Sequence, residues 1–310
     1  LTHRNNGLYI GQPEIDTVSF VTTPDGRLST VASGISEASG ADAAPDGTVY
    51  VGRWGREDAW QPDRSPISEG GYQTVDPLGV VQPVRYPYVR KSRFRAIAPD
   101  DTLYESSQDE RTISKITPHA NGSRTVELLW RSANESPRHI VLDAAGNLYV
   151  SFLDQNKVVR FKPPAYAPEE IPGFSQPFGL ALHPGADPAS VADDRLYVYN
   201  RGNGFLSWID SPSTAVAKTA DSAGTSTAIA GATSTYGLAL ALKPGDDGIY
   251  MAALKKIVRY DIGDGTFASY LAKDLPISVQ EIKAWPDGTL YARADNEDLV
   301  TRSPTMVVTQ

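Results

Sequence analysis

Two stretches of this sequence gather residue types that can do chemistry. Arg85-Tyr-Pro-Tyr-Val-Arg-Lys-Ser-Arg-Phe-Arg95 interleaves five cations (Arg85, Arg90, Lys91, Arg93 and Arg95) with Tyr86, Tyr88 and Phe94. Cations alternating with aromatic rings suit carboxylates, anionic sugars or an acidic protein patch, through charge-assisted bonds and cation–π contact. The formal net charge of the chain is -8, so the stretch is a local reversal of sign. The plainer alternative is a solvated connection between two sheets. The second stretch is Arg138-His139, where an imidazole beside a guanidinium offers a base with an oxyanion-stabilising neighbour. His3, His119 and His183 fall at the chain start or in turn-like sequence and form no triad by spacing. An insertion running roughly from Arg53 to Gly71 adds Trp54 and Trp60, and Trp, Tyr and Arg are the residue types enriched at binding hot spots.

Composition removes several classes of chemistry. There is no cysteine, which excludes disulfides, thiolate catalysis and zinc–thiolate sites. An acidic balance argues against nucleic acid as a partner. No apolar run reaches the ~18 residues that a spanning helix needs. The chain begins at Leu1 rather than Met, is poor in Lys and rich in Ser, Thr and Gly. Those features lead us to expect an exported monomer with a processed N-terminus, extracellular or periplasmic.

The elements that position these residues repeat. An aliphatic residue followed by Tyr recurs at Leu8-Tyr9, Val49-Tyr50, Leu103-Tyr104, Leu148-Tyr149, Leu196-Tyr197, Ile249-Tyr250 and Leu290-Tyr291, in steps of 41 to 54 residues. A turn with Gly or Asp precedes most copies, as in Pro45-Asp-Gly47 and Ala145-Gly-Asn147, and short apolar strands lie on either side. No 3.6-residue periodicity appears, so the chain reads as all-β. Four short strands per repeat of this length predict a β-propeller of seven four-stranded blades, or six if the first copy packs irregularly. The tyrosines are read as blade-packing residues. The apolar strand that should precede Leu8-Tyr9 is missing, so the first blade is expected to lack its inner strand. Thr305–Thr309 is expected as the outer strand of the last blade, and residues 1–310 as one domain.

The phrase Pro-Asp-Gly-x-aliphatic-Tyr, followed by Ile/Val-x-Arg-Phe/Tyr, resembles the NHL, SMP-30/gluconolactonase and virginiamycin B lyase group of propellers over nearly the whole chain. That resemblance implies one mouth of a channel lined by the loops entering each inner strand and those joining second to third strands. Arg90, Arg93, Arg95, Arg138, Trp54 and Tyr236 become candidate ligand contacts there. SMP-30-like enzymes hold calcium or another divalent cation with oxygen ligands, which implies Glu37, Asp154 and Asn200 as metal ligands and His139 and Glu281 as catalytic groups. Two departures weigh against the enzymes. Arg138-His139 stands where the paraoxonase-like pattern has Asn-Asp, and no second strand carries the lyase phrase Trp-Phe-Thr-Glu. The reading favoured is therefore an exported, non-catalytic module with no cofactor, binding a small anionic ligand, a glycan or a protein. The alternative is a lactone or ester hydrolase, or a lyase. Asn200-Arg-Gly-Asn-Gly204 is glycine-rich but joins two strands, and phosphate cradles of that kind need a helix behind them.

Overall fold

A computed structural model describes residues 2–4, 7–12, 17–22, 28–35, 38–43, 47–53, 72–84, 92–108, 110–119, 124–187, 190–221, 238–240, 247–253, 256–267, 278–284, 290–295 and 305–308. The described residues contain strands and turns and no helix, so none is long and apolar enough to cross a membrane. The chain divides into two compact units, Leu1–Ile140 with Val300–Arg302, and Val141–Leu299 with Ser303–Gln310.

Three antiparallel sheets build the first unit. In chain order they comprise β1 (Thr2–Arg4), β2 (Gly7–Gln12), β3 (Thr17–Thr22) and β4 (Leu28–Ser33); β5 (Ala38–Ala43), β6 (Val49–Arg53), β7 (Tyr72–Val75) and β8 (Val81–Val84); and β9 (Ser92–Ile97), β10 (Leu103–Ser107), β11 (Thr112–Pro118) and β12 (Arg124–Arg131). Each strand pairs with its neighbour in sequence. The first sheet corrects one expectation. Thr2–Arg4 pairs with Gly7–Tyr9 and fills the position thought to be missing. Those residues carry no apolar alternation; their backbone groups alone qualify them as an edge.

The second unit continues with β13 (Ile140–Leu142), β14 (Leu148–Phe152), β15 (Lys157–Lys162) and β16 (Ala167–Pro172), then β17 (Pro177–His183), β18 (Arg195–Asn200), β19 (Leu206–Asp210) and β20 (Ala220–Asp221). It ends with β21 (Leu238–Leu240), β22 (Gly248–Ala253), β23 (Lys256–Asp261) and β24 (Thr266–Phe267), and with a sheet of β25 (Ser278–Ala284), β26 (Leu290–Asp295) and β27 (Thr305–Val308). Thr305–Val308 pairs directly with Leu290–Arg293 and is the edge strand of this sheet among the described residues.

Within each unit the aliphatic–Tyr pair does one job. Successive side chains on a strand point to opposite faces, so the aliphatic residue faces back and the Tyr faces forward. Tyr9 packs against Ala41, Val49 and Val51, and Tyr50 joins Ile97, Leu103 and Ile116. In the second unit Tyr149 joins Leu180, Leu196 and Val198, and Tyr197 joins Ile249 and Met251. Each of these four tyrosines thus plugs into the aliphatic face of the sheet that follows it.

The fourth hairpin shows how the local sequence aims such a tyrosine. Asp143 Oδ1 accepts the amide N–H groups of Ala145 at 3.0 Å and Asn147 at 2.8 Å. Its Oδ2 accepts Asn147 Nδ2 at 2.7 Å and the Tyr149 hydroxyl at 2.9 Å. Gly146 turns the chain at a φ of 84°, where a side chain would be strained. Burial, then the charge of Asp143 and its hydrogen bond, push the Tyr149 hydroxyl well above the ordinary tyrosine range.

Tyr149→Ala should cost about 3–5 kcal/mol by chemical denaturation, as large-to-small changes of buried aromatics do, while Tyr149→Phe should cost only the hydroxyl's bond. A second expectation concerns acid. Glu169 takes two bonds from buried Arg160, and these, together with Lys162, hold its carboxyl below the ordinary glutamate value. A depressed carboxyl stabilises the fold above its unfolded pKa, and that contribution is lost as pH falls through the folded value. Glu169→Gln should therefore flatten the acid limb of a stability–pH curve and leave its neutral-to-alkaline limb in shape.

Candidate functional site

Four of the first strands of their sheets share an irregularity near their N-terminal end. Pairing of β5 with β6 slips between Ala38 and Gly40, and that of β25 with β26 between Val279 and Glu281. The β9–β10 ladder passes from Phe94 to Ser92 and leaves Arg93 without an opposite residue, while β17–β18 slips over Phe178 and Gly179. Such β-bulges twist a strand and re-aim the extra residue. Ser39, Arg93, Phe178 and Gln280 occupy these positions, and Arg138 holds the equivalent place before β13. The sequence named Arg93 and Arg138 as candidates but not the bulges, because a single extra residue in a Ser/Gly/Arg-rich strand entry leaves no periodic trace.

At this end of the third sheet stand Phe94, Arg111 and Arg131, with the Arg138-His139 segment against them at Phe94 and Ser106. The His139 ring lies 4.9 Å from that of Phe94, tilted by 50°. The Ser106 hydroxyl donates to the carbonyl of Arg138 at 2.5 Å and also lies 3.3 Å from that of Phe94. Arg111, at the β10–β11 turn, donates to the carbonyl of Ala133, and its own carbonyl accepts the Ser132 N–H at 3.1 Å. Arg131, more than half exposed, faces Glu110 at 3.9 Å. The connection leaving β12 is thus tied to the β10–β11 turn through Arg111, and further on to β9 and β10 through His139 and the carbonyl of Arg138.

Arg95 behaves differently from its expected role. Its side chain is 0% exposed, with Nε 3.5 Å from Oε1 of Glu105, itself 1% exposed. It cannot serve as a solvent-facing contact in this arrangement. The matching cross-strand pairs in other sheets are Ala41 with Val51, Leu180 with Val198 and Leu238 with Met251. One sheet has thus exchanged an aliphatic pair for a buried ion pair, with Ser107, Thr112 and Ser114 buried beside it.

In the second unit Asn200 is buried and its amide is committed to the turn. Oδ1 accepts the Ser175 N–H at 3.0 Å, and Nδ2 donates to Phe205 O at 3.1 Å and Ser207 Oγ at 2.5 Å. Ser207 in turn donates to Asp221, which also takes Lys218 Nζ at 2.6 Å. Burial pushes the Asp221 carboxyl up, but the bonds from Lys218 and Ser207 outweigh it and leave it below the ordinary aspartate range. Asn156 Oδ1 accepts the Gln176 N–H at 2.7 Å. The turn amides of Gly202 and Gly204 are spent on Ser175 O and Asn200 O, so the glycine-rich loop offers them to no phosphate. A Cβ on Gly202 would come within 2.4 Å of Ser175 Oγ, so the close approach needs glycine.

Asp154 is exposed on the β14–β15 turn. Glu281 lies on β25 opposite Arg293 in register. Glu37, Trp54, Arg90 and Tyr236 lie outside the described residues, as does the side chain of Arg93. Among the described residues no three His, Asp or Glu side chains gather to hold an ion. The Asn200 oxygen that a hard cation would use already accepts the Ser175 amide.

No protein-family model matches the sequence, and no curated protein matches it by sequence. Solved structures define the class: the chain has the β-propeller fold. It superimposes on a streptogramin B lyase at TM-score 0.68 with 14% identity, covering 94% of this chain and 88% of that one. A catalytically inactive virginiamycin B lyase from Staphylococcus aureus, solved with quinupristin, gives 0.67 with 13% identity over 95% and 90%. Apo AztD from Citrobacter koseri gives 0.55 with 14% identity over 88% and 72%.

Removing Arg95 alone would leave the Glu105 carboxylate buried, an uncompensated charge that costs ~3–5 kcal/mol. Arg95→Ala should therefore lower stability strongly, whereas the double change Arg95→Met/Glu105→Leu should recover most of it in thermal melts.

Proposed function

We propose that residues 1–310 form a single exported domain of seven propeller blades, acting outside the cytoplasm. It binds an anionic partner without catalysis, through the loop end of the third blade. The supporting observation is that Arg111 and Arg131 stand at the end of the third sheet where His139 packs against Phe94, in a chain whose net charge is -8. Guanidinium groups recognise carboxylate and sulfate oxygens by charge-assisted bonds, and scattered rim cations make such binding salt-dependent. A small carboxylate, an acidic glycan and an acidic protein patch share this chemistry. Titration with a sulfated oligosaccharide at rising salt tests it. Arg131→Ala and Arg138→Ala should each weaken binding roughly tenfold, about 1.4 kcal/mol, with little change in melting temperature. No binding by the wild-type chain to sulfated oligosaccharides, polycarboxylates or an acidic protein would sink the reading.

A second reading is an enzyme, favoured by the likeness to streptogramin B lyase and by His139, held half-buried against Phe94. As a lyase it would use His139 as a base next to Arg138. As a lactone or ester hydrolase it would use His139 and Glu281 with a divalent cation such as calcium near Glu37, Asp154 and Asn200. A melting temperature indifferent to EDTA and to calcium add-back removes the metal-dependent form. Turnover of a cyclic ester that disappears in His139→Ala would displace the binding reading.

A further inference from the structure

A bulge leaves the carbonyl of its extra residue outside the strand ladder, and a buried carbonyl needs a donor from elsewhere. In the second unit Phe178 is a bulged residue, buried, and Ser151 Oγ donates to its carbonyl at 2.8 Å. Ser151 stands on the preceding sheet, in the run Leu148-Tyr149-Val150-Ser151. The first unit repeats the arrangement. Ser106, in Leu103-Tyr104-Glu105-Ser106, donates to the carbonyl of Arg138, which holds the place of Phe178. The other copies of the repeat have Gly11, Gly52, Tyr199, Ala252 and Arg293 at this position, so only two carry the serine.

We propose that Ser106 is the positioning residue of the anion-binding face, fixing the Arg138-His139 segment for its ligand; this rests on the function proposed above. The geometry carries it. Ser106 is 2% exposed, and its single proton goes to the nearer acceptor, Arg138 O at 2.5 Å, while the oxygen stays 3.3 Å from Phe94 O. One hydroxyl thus touches both segments whose rings, Phe94 and His139, meet at 4.9 Å. Without it, the Arg138 carbonyl loses a buried donor and the segment is free to rotate toward water. The guanidinium and imidazole would then no longer be held in one orientation, and affinity would fall through lost preorganisation. Ser151 makes the same bond and serves as an internal control.

The test compares Ser106→Ala, Ser106→Thr and Ser151→Ala by melting temperature, by the NMR resonances of the His139 ring and by titration with a sulfated oligosaccharide. Both alanine variants should melt at similarly reduced temperatures. Only Ser106→Ala should move the His139 ring resonances, through the changed ring current of Phe94, and weaken binding by about threefold to tenfold, the worth of one buried hydrogen bond. Threonine keeps the hydroxyl and should restore the resonances. Unmoved His139 resonances in Ser106→Ala, or the same shift in Ser151→Ala, would overturn the assignment. If the wild-type chain binds no anion, the proposed function fails, and the His139 resonances still decide whether Ser106 positions the segment.

Discussion

The fold depends on one contact made repeatedly: a forward-facing tyrosine of one sheet set into the aliphatic face of the next. A four-stranded sheet has two faces and can bury neither alone. The Leu-Tyr phrase solves this with adjacent residues, one serving the contact behind and one the contact ahead. Aromatic side chains of this size bury roughly 150–250 Å² each, so a single pair supplies much of the interface between neighbours. The same residue also reaches down to its own hairpin. Tyr149 bonds the Asp143 carboxylate that holds the turn, so the packing contact and the local turn stabilise each other. Repeats of this kind gain stability chiefly from nearest neighbours, which leaves the strand ends free to vary.

Variation appears where that contact stops. Towards the Tyr50 end of the third sheet the interior is apolar, with Ile97, Leu103 and Ile116 around Tyr50. One step further along the same strands it becomes charged, with Arg95 and Glu105 fully covered. Replacing such a pair by apolar groups is often neutral or stabilising, so the pair is not there because an aliphatic one would fail. Its presence marks one interface as different among sheets that are otherwise nearly interchangeable. Beyond it lie the bulges, the serine bonds and the Arg138-His139 segment, set at strand ends and on the connections that meet them. The scaffold is therefore rigid where sheets interlock and chemically individual where they do not.

This separation explains why the fold says little about activity. Propellers that superimpose on this chain include lyases and AztD, at identities of 13–14%. What they have in common is the packing of sheets, and a shared scaffold hosts unrelated functions through the residues grafted at its loops. The case for anion recognition rests instead on Arg111, Arg131 and the Arg138-His139 segment at one end of the third sheet, and on the burial that withdraws Arg95 from that group.

The sequence by itself determined what repeats. The aliphatic–Tyr pairs, the Gly and Asp turns and the strands around them were legible, because period-two alternation and turn chemistry are local properties of neighbouring residues. It also pointed to the Arg138-His139 segment. Tertiary structure alone decided the rest. Thr2–Arg4 became a strand through backbone pairing that no side-chain pattern announces. Arg95 looked like the other cations of its stretch until Glu105 was set opposite it by register. Ser106 and Ser151 find their acceptors 32 and 27 residues away. A pattern along the chain records which residues share a face, whereas burial and hydrogen bonding depend on what a distant segment places against that face.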